Sequence, residues 1–299
     1  MDETDVVYAE VLDVVLDAPG LYPDLSNDAY QADPVPGRSL SSTGVRSLLD
    51  CPAKFKWQRD NGRLPKRAFD LGHAAHKEVL GVGECLVWVD AKDWRTKAAQ
   101  EEEAVARAAG KVPLLLKDKP RVEAMAAALR EDPYAAALFA PGTGVPEATI
   151  VWRDEASGVM CRARFDWLPH VETGWKLIVP DYKTTRDAHP AACQKSIASY
   201  GYHQQADWYL SGLKALGLAG EFDPSFVFVF QETTPPYVPQ IITPDERAME
   251  IAADLNRRAI DLYVHCTNTG RWPGYSDGPL TMPLPSWVER SYDNEGISA

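Results

Sequence analysis

The sequence predicts an α/β protein, and three observations carry that reading. Apolar residues recur at helical spacing through the amino-terminal half. After Pro146 β-branched and aromatic residues gather in short runs separated by Gly-bearing turns. Helical stretches then flank one further apolar run, "FVFVF" at 226–230.

The elements follow in order. Residues 1–38 are acidic and become rich in Pro, Asp and Gly, which reads as an extension or arm. "SLSSTGVRSLLDCPAKFKW" then opens with a capped helix: Ser41 or Ser42 can accept from the first free amides, and Val45, Leu48 and Leu49 form one apolar face. Pro52 marks a break or a new start. "FDLGHAAHKEVLG" reads as a helix closed by Gly81, residues 98–109 as a third before Gly110, and "PRVEAMAAALREDP" as a fourth between prolines. "EATIVWRD", "GVMCRARFDWL" and "WKLIVPDYKTT" read as an antiparallel three-strand meander. "GYHQQADWYLSGLKALG" is helical, "SFVFVFQE" a strand, and "DERAMEIAADLNRRAIDLYVHC" a long amphipathic helix.

Composition narrows the function. The 45% hydrophobic and 25% charged residues are an ordinary globular balance. A formal charge of −12 argues against a protein that coats nucleic acid unspecifically, yet permits an enzyme with a local basic channel. Positive charge does gather at 54–67 and in Arg162, Arg164, Lys183 and Arg186. The five cysteines lie more than thirty positions apart, so neither a zinc knuckle nor a disulfide framework is expected. The acidic start and the lack of a long apolar run predict a soluble, cytoplasmic protein.

"VPDYKTTRD" at 179–187 raises the chemical question. A turn centred on Thr173-Gly174 sets Asp166 opposite Asp181, and Lys183 shares the face of Asp181. Folding about "DEASG" brings Glu147 towards the same end of the sheet. Clustered carboxylates with a lysine are the set that magnesium-assisted phosphodiester hydrolysis requires. An exposed ladder of salt bridges using the same residues is the alternative.

The order of six stretches favours the site: "SLSSTGVRSLLDCPAKFKW", "LGHAAHKEVLG", "PEATIVWRDEASGVMCRARFDWLP", "VPDYKTT", "GYHQQADWY" and "RWPGYSDGPLTMPLPSW". In this the chain resembles the PD-(D/E)XK nuclease superfamily and, within it, the RecE-type (exonuclease VIII-like) exonucleases of phages and prophages. The resemblance implies a restriction-endonuclease-like core, a central mixed sheet with an antiparallel meander flanked by helices. The nuclease domain would span 39–290, after the 1–38 extension and before a tail at 291–299.

The resemblance also implies the roles. Asp166, Asp181, Glu147, His73 and the Tyr182 carbonyl become metal ligands, and Lys183 the catalytic lysine. His76, one turn from His73, reads as a packed helix residue. Gln205 and Tyr209, four apart on one helix face, position DNA or the lysine, or simply pack. Arg162 and Arg164 suit the DNA backbone, and Arg46 or Arg186 a terminal 5′-phosphate. The implied cofactor is Mg²⁺, with Mn²⁺ as a substitute; no iron–sulfur cluster and no ATP are expected. The implied activity is 5′ to 3′ digestion of double-stranded DNA ends, leaving 3′ tails for a separate RecT-like annealing protein. The implied assembly is a ring of three or four identical subunits. A structure-specific endonuclease, or a degenerate DNA-binding or regulatory subunit, are the alternatives; the intact acid, acid, lysine and glutamine set argues against the last.

Overall fold

The computed structural model describes residues 14–61, 70–276 and 278–296. Arg63, Lys66 and Arg67 of the basic stretch, together with 1–13 of the extension and 297–299 of the tail, lie outside the described residues. The first elements are β1 (Gly20–Tyr22), α1 (Asn27–Ala32), β2 (Leu40–Ser41), α2 (Ser42–Asp50), α3 (Pro52–Asn61) and α4 (Asp70–Leu80). The Ser41 hydroxyl accepts from the Gly44 amide at 3.2 Å, which caps α2, and Pro52 begins α3 because its missing N–H costs nothing there. Gly81 closes α4 in the left-handed region at φ 74°.

Next come β3 (Leu86–Val89), α5 (Lys97–Ala108), β4 (Val112–Leu115), α6 (Lys119–Glu131) and α7 (Pro133–Leu138). The parallel pair β3–β4 had no expectation attached to it. β5 (Gly144–Pro146), β6 (Thr149–Arg153), β7 (Met160–Arg164) and β8 (Trp167–Pro169) follow, then β9 (Ile178–Thr185), α8 (Pro190–Tyr200), α9 (Tyr202–Ala215), β10 (Ser225–Glu232), β11 (Pro239–Ile242), α10 (Glu246–Thr269) and α11 (Ser286–Gly296).

The meander differs from the expected one. β5 with β8, and β6 with β7, form antiparallel ladders in one common register: Val145 faces Leu168 and Thr149 faces Arg164. The two ladders are halves of a single hairpin, interrupted at Glu147 and Asp166. β9 does not extend that hairpin as a third paired strand; it pairs in parallel with β10, Asp181 opposite Phe228, and β10 pairs with β11. The physical reason lies at the interruption. The Asp166 side chain accepts from the Tyr182 amide at 2.7 Å, so a carboxylate takes the place of a ladder bond there.

Alternation along β9 and β10 sends side chains into two layers. Val179, Phe226, Phe228 and Phe230 pack with α9 and α10 through Trp208, Leu213, Ile260 and Tyr263. Tyr182 and Val229 point the other way, against Ala75 of α4 and Met125 and Leu129 of α6. Each fully buried Phe or Leu here contributes about 1.5–3 kcal/mol relative to exposure. The outcome is a mixed α/β architecture, with sheet between helices on both faces. The described part of the extension joins this body: β1 pairs with β6, and Leu16 and Val35 cover Val151.

Candidate active site

The interrupted hairpin builds the site. Glu147 sits at φ 56°, a conformation that ordinarily favours glycine, and its amide still donates to the Asp166 carbonyl at 3.2 Å. The two acids therefore stand side by side at the head of β6. α4 brings His76 between them: Nδ1 lies 3.1 Å from Glu147 Oε1, and Nε2 lies 3.0 Å from Asp166 Oδ1. α4 approaches closely because Gly72, one turn before His76, has no side chain; a Cβ there would meet Thr184 Oγ1 of β9 at 3.2 Å. Arg164 ion-pairs with the other Glu147 oxygen.

β9 supplies the remaining pair. Asp181 is 1% exposed, accepts from Gln205 Nε2 of α9 at 2.6 Å, and ion-pairs with Lys183. Lys183 meets the buried Asp181 Oδ2, so the ammonium is the charge that this oxygen faces. Burial, then the neighbouring Asp166 charge, pushes the Asp181 carboxyl up to about 6. Burial disfavours the charge on Asp166 as well, but the His76 imidazolium outweighs it and holds Asp166 below the usual carboxylate range. Burial likewise opposes charge on His76 and Lys183; the surrounding carboxylates overcome it and raise both.

Among the described residues no three of these side chains converge tightly enough to count as a formed metal nest. The donor set nevertheless fits a divalent ion. Asp166, Asp181 and Glu147 are hard oxygen donors, His76 adds one nitrogen, and the buried Asp181 Oδ2, which only the Lys183 ammonium faces, is an oxygen that a cation would relieve.

The predicted residues divide clearly. Asp166, Asp181, Glu147, Lys183 and Gln205 come together. His73 does not join them: its Nδ1 meets Glu84 at 2.8 Å near the surface, and His76 occupies the place expected for it. Tyr182 donates its amide to Asp166 and sends its phenol into the opposite layer, to Gln231 at 2.5 Å. Tyr209 is buried between Phe165 and Phe226, with ring centroids 4.9 and 5.8 Å away, so it supports the strand that carries Asp166. Arg162 is engaged inside the fold, 2.8 Å from Asp33 and 2.6 Å from the Ser39 hydroxyl, so it is not placed for a DNA backbone. Arg46 donates to the backbone carbonyls of Tyr200 and Gly201. Arg164 and Arg186 line the cleft of about 970 Å³ that opens over Lys183. Sequence reading missed Asn27 and Gln31 of α1, and Glu84, in its walls. The spacing Gly72-x-x-x-His76 was the signal for the histidine that meets the two acids, since a glycine one turn away marks close approach.

A carboxylate pair and a lysine at the edge of a mixed sheet, braced by a helix glutamine, define the PD-(D/E)XK class of nuclease-like folds. The chain belongs to the family described as "PDDEXK-like domain of unknown function (DUF3799)", which it matches over residues 41–279. Nucleases of the PD-(D/E)XK type typically use divalent metals. The crystal structure of a "Putative exonuclease" from Eubacterium rectale resembles this one with a TM-score of 0.56 at 12% identity, over 89% of this chain and 97% of that one. At that identity the likeness is one of fold. A phage related exonuclease from Haemophilus somnus 129PT aligns at 12% identity over 78% and 96% of the two chains, with a TM-score of only 0.31. No curated protein matches the chain.

Proposed function

We propose that this chain is a magnesium-dependent 5′ to 3′ exonuclease acting on double-stranded DNA ends, with manganese able to substitute. Its 3′ single-stranded tails would serve a separate RecT-like annealing protein in phage-type recombination. The observation that carries the nuclease reading is Glu147 and Asp166 bridged by His76, with the buried Asp181–Lys183 pair adjoining, beneath the cleft that Glu147, His76 and Lys183 line. Polarity, end preference and partner rest on the resemblance to RecE-type enzymes.

Asp166, Asp181, Glu147 and His76, with the Tyr182 carbonyl, would hold the ion. When bound, the ion neutralises developing charge and makes water a better nucleophile. Lys183 directs its ammonium at the attacked phosphate and the incoming water. Gln205 keeps Asp181 in one rotamer. Arg186, in the cleft wall, is the candidate for a terminal 5′-phosphate, whose oxygens a guanidinium matches in two places. Subunits associate into a closed ring of three or four.

The test uses end-labelled linear duplex, closed circular duplex and single strands, each with Mg²⁺ and with EDTA. Metal-dependent release of mononucleotides from linear duplex alone supports the proposal. Cutting of the closed circle would make the protein an endonuclease, and binding without cutting a degenerate subunit.

A further inference from the structure

The junction between α8 and α9 presents an aromatic surface to the same cleft. α8 ends at Tyr200, Gly201 turns the chain at φ 63°, and α9 starts at Tyr202. A side chain at position 201 would be strained at that φ and would meet Arg46 Cδ at 2.7 Å, displacing the arginine from the turn. There Arg46 donates to the Tyr200 carbonyl at 2.5 Å and, from its Nε, to Ser42 O at 3.2 Å. The junction is thus fixed from α2.

The rings this holds in place form a continuous series. Phe228 and Phe230 lie in the core; the Tyr202 ring is 5.6 Å from the first and 6.1 Å from the second; Tyr200 lies 5.5 Å further out, tilted 34° to Tyr202. Tyr200 is 63% exposed at the lip, while Lys183 Nζ is 5.0 Å from the Tyr202 ring centroid. Tyr200, Tyr202 and Phe230 all line the cleft with Lys183 and Arg186. An aromatic face supported from behind and open in front, in a cleft that also presents Lys183 and Arg186, is the arrangement by which proteins hold single-stranded nucleotides without reading sequence.

We propose that Tyr200, backed by Tyr202, is a stacking subsite for the unpaired terminal nucleobase of the strand being cut. The cleft then takes a frayed end rather than an intact terminal base pair. Arg46 and Gly201 are positioning residues for this shelf. The inference rests on the nuclease reading and adds the form of the substrate to it.

Photochemical crosslinking tests it without turnover. Duplexes carry 5-iodouracil at the first, second or tenth nucleotide from the end and are irradiated with the wild-type protein in EDTA, followed by peptide mapping. Crosslinking to Tyr200 or Tyr202 from the first or second position, and not from the tenth, is expected. In parallel, Tyr200→Ala should raise KM for linear duplex about tenfold or more, with kcat little changed. Tyr200→Phe should restore KM to within about twofold of wild type, and Tyr200→Leu, apolar but without a π face, should not. Wild-type cleavage with crosslinks elsewhere, or an unchanged KM in Tyr200→Ala, overturns the shelf alone. A wild-type protein that neither binds nor cuts any DNA overturns the nuclease reading and the shelf with it.

Discussion

Asp181 carries the sharpest conflict between stability and function. Its carboxyl titrates near 6, against 3.8 for the ordinary group, so ionising it within the fold costs about 3 kcal/mol. The sign follows: the folded state holds this proton more tightly than the unfolded one, so the cost is absent below about pH 4 and complete above about pH 6. Asp181→Asn, which mimics the protonated form, should therefore raise metal-free stability at pH 8 by about 1–3 kcal/mol. The same variant should lose both cleavage and the rise in Tm that Mg²⁺ gives the wild type. Calorimetry in EDTA and in Mg²⁺ checks both halves. Lys183→Ala should retain that metal-induced rise while cleavage falls by about 10²-fold or more. The histidines give a cleaner contrast. His76→Ala removes the imidazole between Glu147 and Asp166 and should reduce cleavage about 10–100-fold, whereas His73→Ala, out beside Glu84, should stay within a few-fold of wild type. Asp181 and Lys183 were legible as a pair because they stand two apart on one strand, whereas Asp166 was reached through a hairpin pairing that the structure replaces with the parallel β9–β10 ladder. The choice between His73 and His76 depended on the rotational setting of α4, which only its contact with β9 through Gly72 determines.

At the scale of elements, local chemistry and long-range pairing separate. α2, α4, α5 and α10 carry caps and closing glycines in their own sequence, and the structure places them where Ser41, Gly81, Gly110 and Asp245 put them. β9 could not be assigned a partner in that way. Its parallel neighbour β10 lies beyond two helices, whereas a hairpin to the preceding strand is the cheaper local guess. β3, β4 and β5 are three or four residues long, too short to show a period. The extension shows how such distant pairing is secured. Arg162 of β7 and Asp33 form an ion pair whose side chains are 11% and 10% exposed, with the Tyr30 ring 5.1 Å from the guanidinium. Asp33→Ala strands the arginine charge and should destabilise the fold by about 3–5 kcal/mol. Replacing both, Asp33→Ala with Arg162→Met, should recover most of that loss, as read from urea unfolding midpoints.

For the whole molecule, the question is how so acidic a chain stays on DNA. A net charge of −12 gives no uniform attraction to a polyanion, so repeated cutting requires either constant rebinding or enclosure of the duplex. The segment after α10 offers a means of enclosure. Tyr275, Leu280, Met282, Leu284, Trp287 and Tyr292 are between 63% and 78% exposed, a run of large apolar side chains that an isolated subunit leaves in water. Buried against a neighbouring copy, the run would close a ring by a repeated head-to-tail contact, since one subunit's strip then meets a different surface on the next. Light scattering at micromolar concentration should give a closed oligomer, of three or four subunits if the resemblance to RecE-type enzymes extends to assembly. Leu284→Asp combined with Trp287→Ser should yield monomers that still cut short duplexes at near wild-type rates, because neither residue lines the cleft over Lys183, but that leave long duplexes after few steps. A wild-type monomer that digests long duplex without dissociating would place processivity within a single chain and remove the ring.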